Sequence, residues 1–147
     1  MPATPEELRG SIRALVRRLG VLNTDRTPAG IPLGVSYCHA VSALMETPEP
    51  LRQRDLAEVL NLNKSSVTRL CRRLEEDGHL EISADADDGR ARSLTLTASG
   101  RELGEQIHVA SRDRYAALLA IIPKAEHENV LRSLDVLNAA LATLDAD

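Results

Sequence analysis

Phe and Trp are absent from the chain, and Tyr37 and Tyr115 are its only tyrosines. Without large rings a core must be assembled from Leu, Val, Ile and Ala, side chains that suit helices packed ridge into groove. So few rings also leave little for stacking on a broad planar molecule, and any small ligand is expected to be apolar or anionic. Cysteine is scarce too. Cys38 and Cys71 stand far apart and build no disulfide framework. No apolar run approaches the roughly 20 residues needed to cross a bilayer. Residues 1–7 lack the basic and apolar regions of a secretory signal, so a cytoplasmic protein with no membrane partner is expected. A nucleophile–base pair, a phosphate-binding glycine loop and paired catalytic carboxylates are also missing. The expectation is therefore no enzyme, no catalytic residues, and no cofactor or bound metal.

What is present is unevenly spread. At 147 residues the chain is long enough for one domain with a real core. Its net charge of −4 gives no hint of a polyanionic partner. The distribution does. Residues 59–74 carry Lys64, Arg69, Arg72 and Arg73 and no acid, whereas residues 102–147 hold four cations against eight acids. A cationic strip on an acidic body can grip a polyanion locally while the remainder stays well solvated.

Apolar residues Leu8, Ile12, Leu15, Val16, Leu19 and Leu22 recur at helical spacing after Thr4-Pro5, predicting a first helix over 6–22. A second helix is expected from near Pro32, ending at Thr47-Pro48-Glu49-Pro50. The third is expected over 51–60 and the fourth over 64–77, with Asn63 as cap and Gly78 as stop. Residues 79–83 and 93–97 read as a hairpin with a long Asp- and Gly-rich tip. Thr97 then caps a long helix to about Ile122, Pro123 interrupts it, and a last helix runs over 124–144. In that last helix Val130, Leu134, Leu137, Leu141 and Leu144 step by four, three, four and three, an average of 3.5 that marks a seam for another helix.

Helices three and four form a helix-turn-helix. In that motif the second helix lies in the major groove and the first braces it across the backbone. Leu56, Ala57 and Leu60 on one helix, and Val67, Leu70, Cys71 and Leu74 on the other, supply the packing. Asn61 stands in the turn, where a left-handed backbone is wanted and Asn is the best residue after Gly. Lys64, Ser65, Ser66, Thr68, Arg69, Arg72 and Arg73 then remain for solvent or DNA. Arg69 can hold a guanine with two hydrogen bonds, worth roughly 1–3 kcal/mol of discrimination. Lys64, Arg72 and Arg73 are better placed for phosphates, which position a protein without specifying sequence. At the hairpin tip, Arg90 beside Gly89 suits a narrow, negative minor groove, and Arg92 can share a phosphate. The nearby acids repel phosphate, so Asp85 and Asp87 are expected to face away from DNA.

These residues carry a family resemblance. The Leu56-Ala57-x3-Leu60-x-Leu62-x-Lys64-Ser65-Ser66-Val67-Thr68-Arg69-Leu70 run, Leu74-Glu75-x-x-Gly78, Asp88-x-Arg90 and Leu96-Thr97-x-x-Gly100 together resemble the MarR family of winged-helix regulators. The resemblance implies a mainly α fold with a small β-hairpin wing, in which a winged helix-turn-helix lobe is flanked by dimerisation helices. As one MarR-like domain, 1–147 divides into dimerisation helices at 1–30 and 98–147 around a DNA-binding lobe at 31–97. It further implies that Arg90 enters the minor groove and that Asp88 braces it by an ion pair. The expected function is a homodimeric transcriptional repressor of a pseudo-palindromic operator on double-stranded DNA, released by a small effector.

Two alternatives stay open: a winged-helix module for protein–protein contact without DNA affinity, and a metal- or redox-sensing member of the same family. Cys38 and His39 with Glu105 and His108 are the candidate metal set, and Cys38 or Cys71 the candidate thiol sensor. Packing is the stronger reading of both cysteines, and a solvated helix face that of His127.

Overall fold

The computed structural model describes residues 1–146. Helix α1, Pro5–Leu19, starts at a reciprocal cap: the Thr4 hydroxyl accepts from the Glu7 N–H at 3.2 Å, and the Glu7 carboxylate accepts from the Thr4 N–H at 2.9 Å. It is shorter than the apolar spacing predicts. Gly20 turns left-handed at φ +79° and ends it before Leu22. Helix α2, Val35–Glu46, also begins later than expected. The chain before it is held in a turn, with the Thr27 N–H donating to the Ile31 carbonyl at 2.8 Å and Ile31 N–H to the Thr27 hydroxyl at 3.1 Å. Pro32 therefore belongs to the loop rather than to the first helical turn.

A larger departure follows. Leu51–Arg52 is not the start of a helix but a two-residue strand, β1, and helix α3 is Gln53–Leu60. The strand exists because a partner lies far along the chain: Leu51 pairs with Leu94 and Arg52 with Ser93. Asn61 then adopts φ 51°, ψ 46°, the one non-glycine residue at positive φ among the described residues. Helix α4, Lys64–Glu76, begins where the Asn63 side chain accepts from the Ser66 N–H at 2.8 Å. It ends in a Schellman motif, with Gly78 at φ +78°, its N–H donating to the Glu75 carbonyl and that of His79 to the Leu74 carbonyl.

Strands β2, Leu80–Ala84, and β3, Arg92–Leu96, form the hairpin, and the sheet order is β1-β3-β2, all antiparallel. Helix α5, Ala98–Ile121, starts at Thr97, whose hydroxyl oxygen accepts from the Gly100 N–H at 3.0 Å while donating to the Gly78 carbonyl at 2.6 Å. A Cβ on Gly100 would overlap the His79 carbonyl oxygen, so the helix reaches this depth only because the side chain is missing. The core is aliphatic, as the composition demands. Leu56, Val67, Cys71, Leu74, Val41 and Leu94 are fully buried, and Tyr37 supplies the ring that joins them.

The described residues cluster into two units, Met1–Ser111 and the segment from Arg112 onward. In the second, a single 3-10 turn, Lys124–Glu126, leads into helix α6, His127–Asp145. His127 is not a solvated face residue. Its Nε2 lies 3.1 Å from the Leu119 carbonyl and 3.0 Å from that of Ile122, satisfying acceptors that the end of α5 leaves open. Along α6, Val130, Leu134, Leu141 and Leu144 are exposed in the single chain. Among the described residues no helix is long and apolar enough to cross a membrane.

Candidate nucleic-acid interface

Helix α4 turns Val67, Cys71 and Leu74 into the core at helical spacing, and this forces Lys64, Ser65, Arg69, Arg72 and Arg73 outward. The exposed residues are not equally free. The Ser65 hydroxyl donates to Asn63 Oδ1 at 2.8 Å, so its oxygen faces out as an acceptor at the helix start. Thr68 is half-buried and engaged twice: it donates to the Lys64 carbonyl at 2.8 Å and accepts from Gln53 Nε2 at 2.8 Å. Ser66 is half-buried as well. Arg73 lies 3.9 Å from the Asp77 carboxylate, with its guanidinium 6.0 Å from the centre of the Tyr37 ring. The Tyr37 hydroxyl in turn donates to Asp77 at 2.9 Å and sits 2.7 Å from His79 Nδ1. Burial and the neighbouring Asp77 carboxylate push the Tyr37 phenol well above its ordinary range, so it stays protonated as a donor. Lys64, Arg69 and Arg72 carry the outward cationic face.

The wing brings further cations to the same side. A cleft of about 470 Å³ is lined by Arg54 and Gln53 at the start of α3, Lys64 at the start of α4, and Arg90 and Arg92 from the hairpin. Asp88 braces the tip differently from the family expectation. Its carboxylate accepts the backbone N–H of Arg90 at 3.0 Å, and the two side chains form no ion pair among the described residues. The ion pair at the wing is instead Arg52–Asp85: Arg52 Nε and Nη2 donate to the two oxygens of Asp85 at 3.1 and 3.0 Å. Arg52 is thus a wing contact that the sequence does not single out, because its partner Asp85 is distant in the chain and joined to it only through the fold. Arg54, at the start of α3, is a further cation of this cleft, and a cation beside the first helix of a helix-turn-helix is a usable signal.

Residues 31–91 match the family model described as MarR family. An HTH-type transcriptional repressor of Mycobacterium tuberculosis is 28% identical over 127 residues, covering 85% of this chain and 91% of that protein. The crystal structure of a probable transcriptional regulator from Pseudomonas aeruginosa superposes with TM-score 0.76 at 25% identity, covering 89% of this chain and 96% of that one. Residues 31–91 are thus similar to MarR-family regulators, and the likeness of fold spans most of the chain. The fold likeness extends to the S. aureus MepR–DNA complex, at TM-score 0.76 and 20% identity over 90% of this chain and 97% of that one.

Two other sets of candidates look different on this scaffold. Cys38 and Cys71 are buried, and burial pushes both thiols up to about 11, with Glu75 adding to the effect at Cys71. Little thiolate exists at neutral pH under those conditions, which removes the reactivity that an oxidant sensor needs. Cys38 points into the core while His39, its neighbour, is exposed, so the two do not converge on one metal.

Proposed function

We propose that this chain is a sequence-specific DNA-binding regulator of the MarR type, acting as a homodimeric repressor. The observation that carries the reading is the shared cleft, to which α3, α4 and the wing each contribute cations although the chain as a whole is acidic. Helix α4 enters the major groove with Arg69 toward base edges and Lys64 and Arg72 toward phosphates. Arg90 enters the adjacent minor groove, and Arg92 follows the backbone beside it. Two such readers, joined through terminal helices, address a pseudo-palindrome with half-sites about 34–36 Å apart. Repression follows from occupying DNA that polymerase needs. A second cleft, of about 460 Å³, lies between the α1–α2 loop, Tyr37, and the α4 residues Leu70 and Arg73. A small effector seated there touches the recognition helix directly, which supports its role as the releasing signal.

The test is selection of genomic fragments followed by anisotropy titration across salt concentrations. Affinity should fall steeply with salt, by a logarithmic slope of about 0.9 per phosphate contacted. Arg69→Ala should flatten the preference among sites by about 1–3 kcal/mol at one base pair, and Arg90→Ala should weaken binding most on AT-rich flanks. Absence of salt-dependent binding to any selected fragment would overturn the proposal.

A further inference from the structure

Three acids, Asp85, Asp87 and Asp88, crowd the tip of a wing that must approach a polyanion. Two of them build the tip. The Asp85 carboxylate accepts four hydrogen bonds: two from the Arg52 guanidinium, at 3.1 and 3.0 Å, and one each from the backbone N–H groups of Asp87 and Asp88, both at 3.0 Å. Asp85 N–H also donates to the Ala91 carbonyl at 3.0 Å, Ala91 N–H to that of Asp88 at 2.9 Å, and Asp88 receives the Arg90 N–H at 3.0 Å. The chain of contacts therefore runs without a gap from Arg52 to the backbone of Arg90.

Arg52 is well chosen as the anchor. It pairs with Ser93 on the central strand, and Ser93 pairs on its other side with Ser83, so the Arg52 side chain crosses β3 to reach the end of β2. Its neighbour Gln53 holds Thr68 on α4 at 2.8 Å. One short segment thus grips the wing with Arg52 and the recognition helix with Gln53. The Arg52 and Asp85 side chains are only 27% and 14% exposed, so water competes weakly for the pair. A two-pronged guanidinium–carboxylate contact also fixes orientation, which a Lys cannot do.

We infer that Asp85 is a positioning residue for DNA recognition, its carboxylate locking the hairpin tip to the start of α3 and so fixing the placement of Arg90 relative to α4. The inference rests on the DNA-reading function proposed above. It runs against simple electrostatics, under which removal of any acid from a DNA-facing tip strengthens binding.

The experiment is an anisotropy titration of the full-length chain with a double-stranded fragment that it selects. The variants are Asp85→Ala, Asp85→Asn, Arg52→Lys, Asp87→Ala, and Asp85→Ala combined in turn with Arg90→Ala and Arg69→Ala. Asp87→Ala should bind as tightly as the parent or more tightly. Asp85→Ala and Arg52→Lys should each weaken binding roughly tenfold, the scale of one misplaced arginine contact. If Asp85 acts through Arg90, the Asp85→Ala/Arg90→Ala pair should bind no worse than Arg90→Ala alone, while losses with Arg69→Ala should multiply. Should Asp85→Ala fail to fold by circular dichroism, Asp85→Asn keeps an acceptor for the turn and carries the same test. A binding parent whose Asp85 variants are undiminished, or multiply with Arg90→Ala, overturns the inference alone. A parent that binds no fragment overturns the function as well.

Discussion

Asn61 occupies the left-handed region at φ 51° between the two helices of the reading motif. Ala in its place meets the steric penalty of that conformation, so Asn61→Ala should cost about 1–2 kcal/mol in urea denaturation. This position was readable in advance, because the demand is local and few residues meet it. Asp85 was not. Its role as the partner of Arg52 depends on a strand pairing across the fold. The Arg52 hydrogen bonds, and the Asp88 and Asp87 N–H groups with them, hold its carboxyl below the usual aspartate value of 3.8. A depressed value in the folded state means that the wing contact is fully present above 3.8 and is lost only as pH falls through the lower value. An NMR titration should show the Asp85 carboxyl resonance titrating with a midpoint below that of a free aspartate.

At the scale of elements, the joint between α4, β2 and α5 explains the Leu96-Thr97-x-x-Gly100 spacing. Thr97 ties the Gly78 carbonyl to the first turn of α5, and Gly100 lies where a Cβ would overlap the His79 backbone. Backbone cannot yield as a side chain can. Gly100→Ala should therefore destabilise by about 1–3 kcal/mol. Gly104→Ala should cost less, although its Cβ would meet Met45 Cγ at 2.5 Å, because a flexible methionine can move aside. Thermal melts of the two variants check the order. Helix periodicity, caps and stops were legible for α4 and α5, where Asn63, Gly78 and Thr97 act within a few residues of themselves. They failed at Leu51–Arg52, whose strand character comes from Leu94 and Ser93.

For the whole molecule, α6 leaves an apolar face without cover in a single chain. Leu134 and Leu141 are 42% and 46% exposed, and they share the 3.5-residue seam that fits a second helix. Under the proposed homodimer this seam joins two DNA readers. Replacing both leucines by Lys should yield a monomer in sedimentation equilibrium. It should also lose operator affinity far more than affinity for a single half-site, since the second contact is no longer held at the right spacing. A dimeric double variant would show that the seam is not the joining surface.

The amino-acid sequence alone determined the order of helices, the aliphatic core, the turn at Asn61 and the cationic face of α4, because each follows from spacing or from local backbone demands. It also carried the family motifs. The tertiary structure decided which charges are free and which are engaged. Arg73 is drawn toward Tyr37 and Asp77, Thr68 is engaged by Gln53 and its own helix, and Asp88 braces the backbone of Arg90 rather than its side chain. Asp85, which looked like a liability beside DNA, proved to be the anchor of the wing through Arg52. Such pairings join residues distant in the chain, and only the strand register brings them within hydrogen-bonding distance.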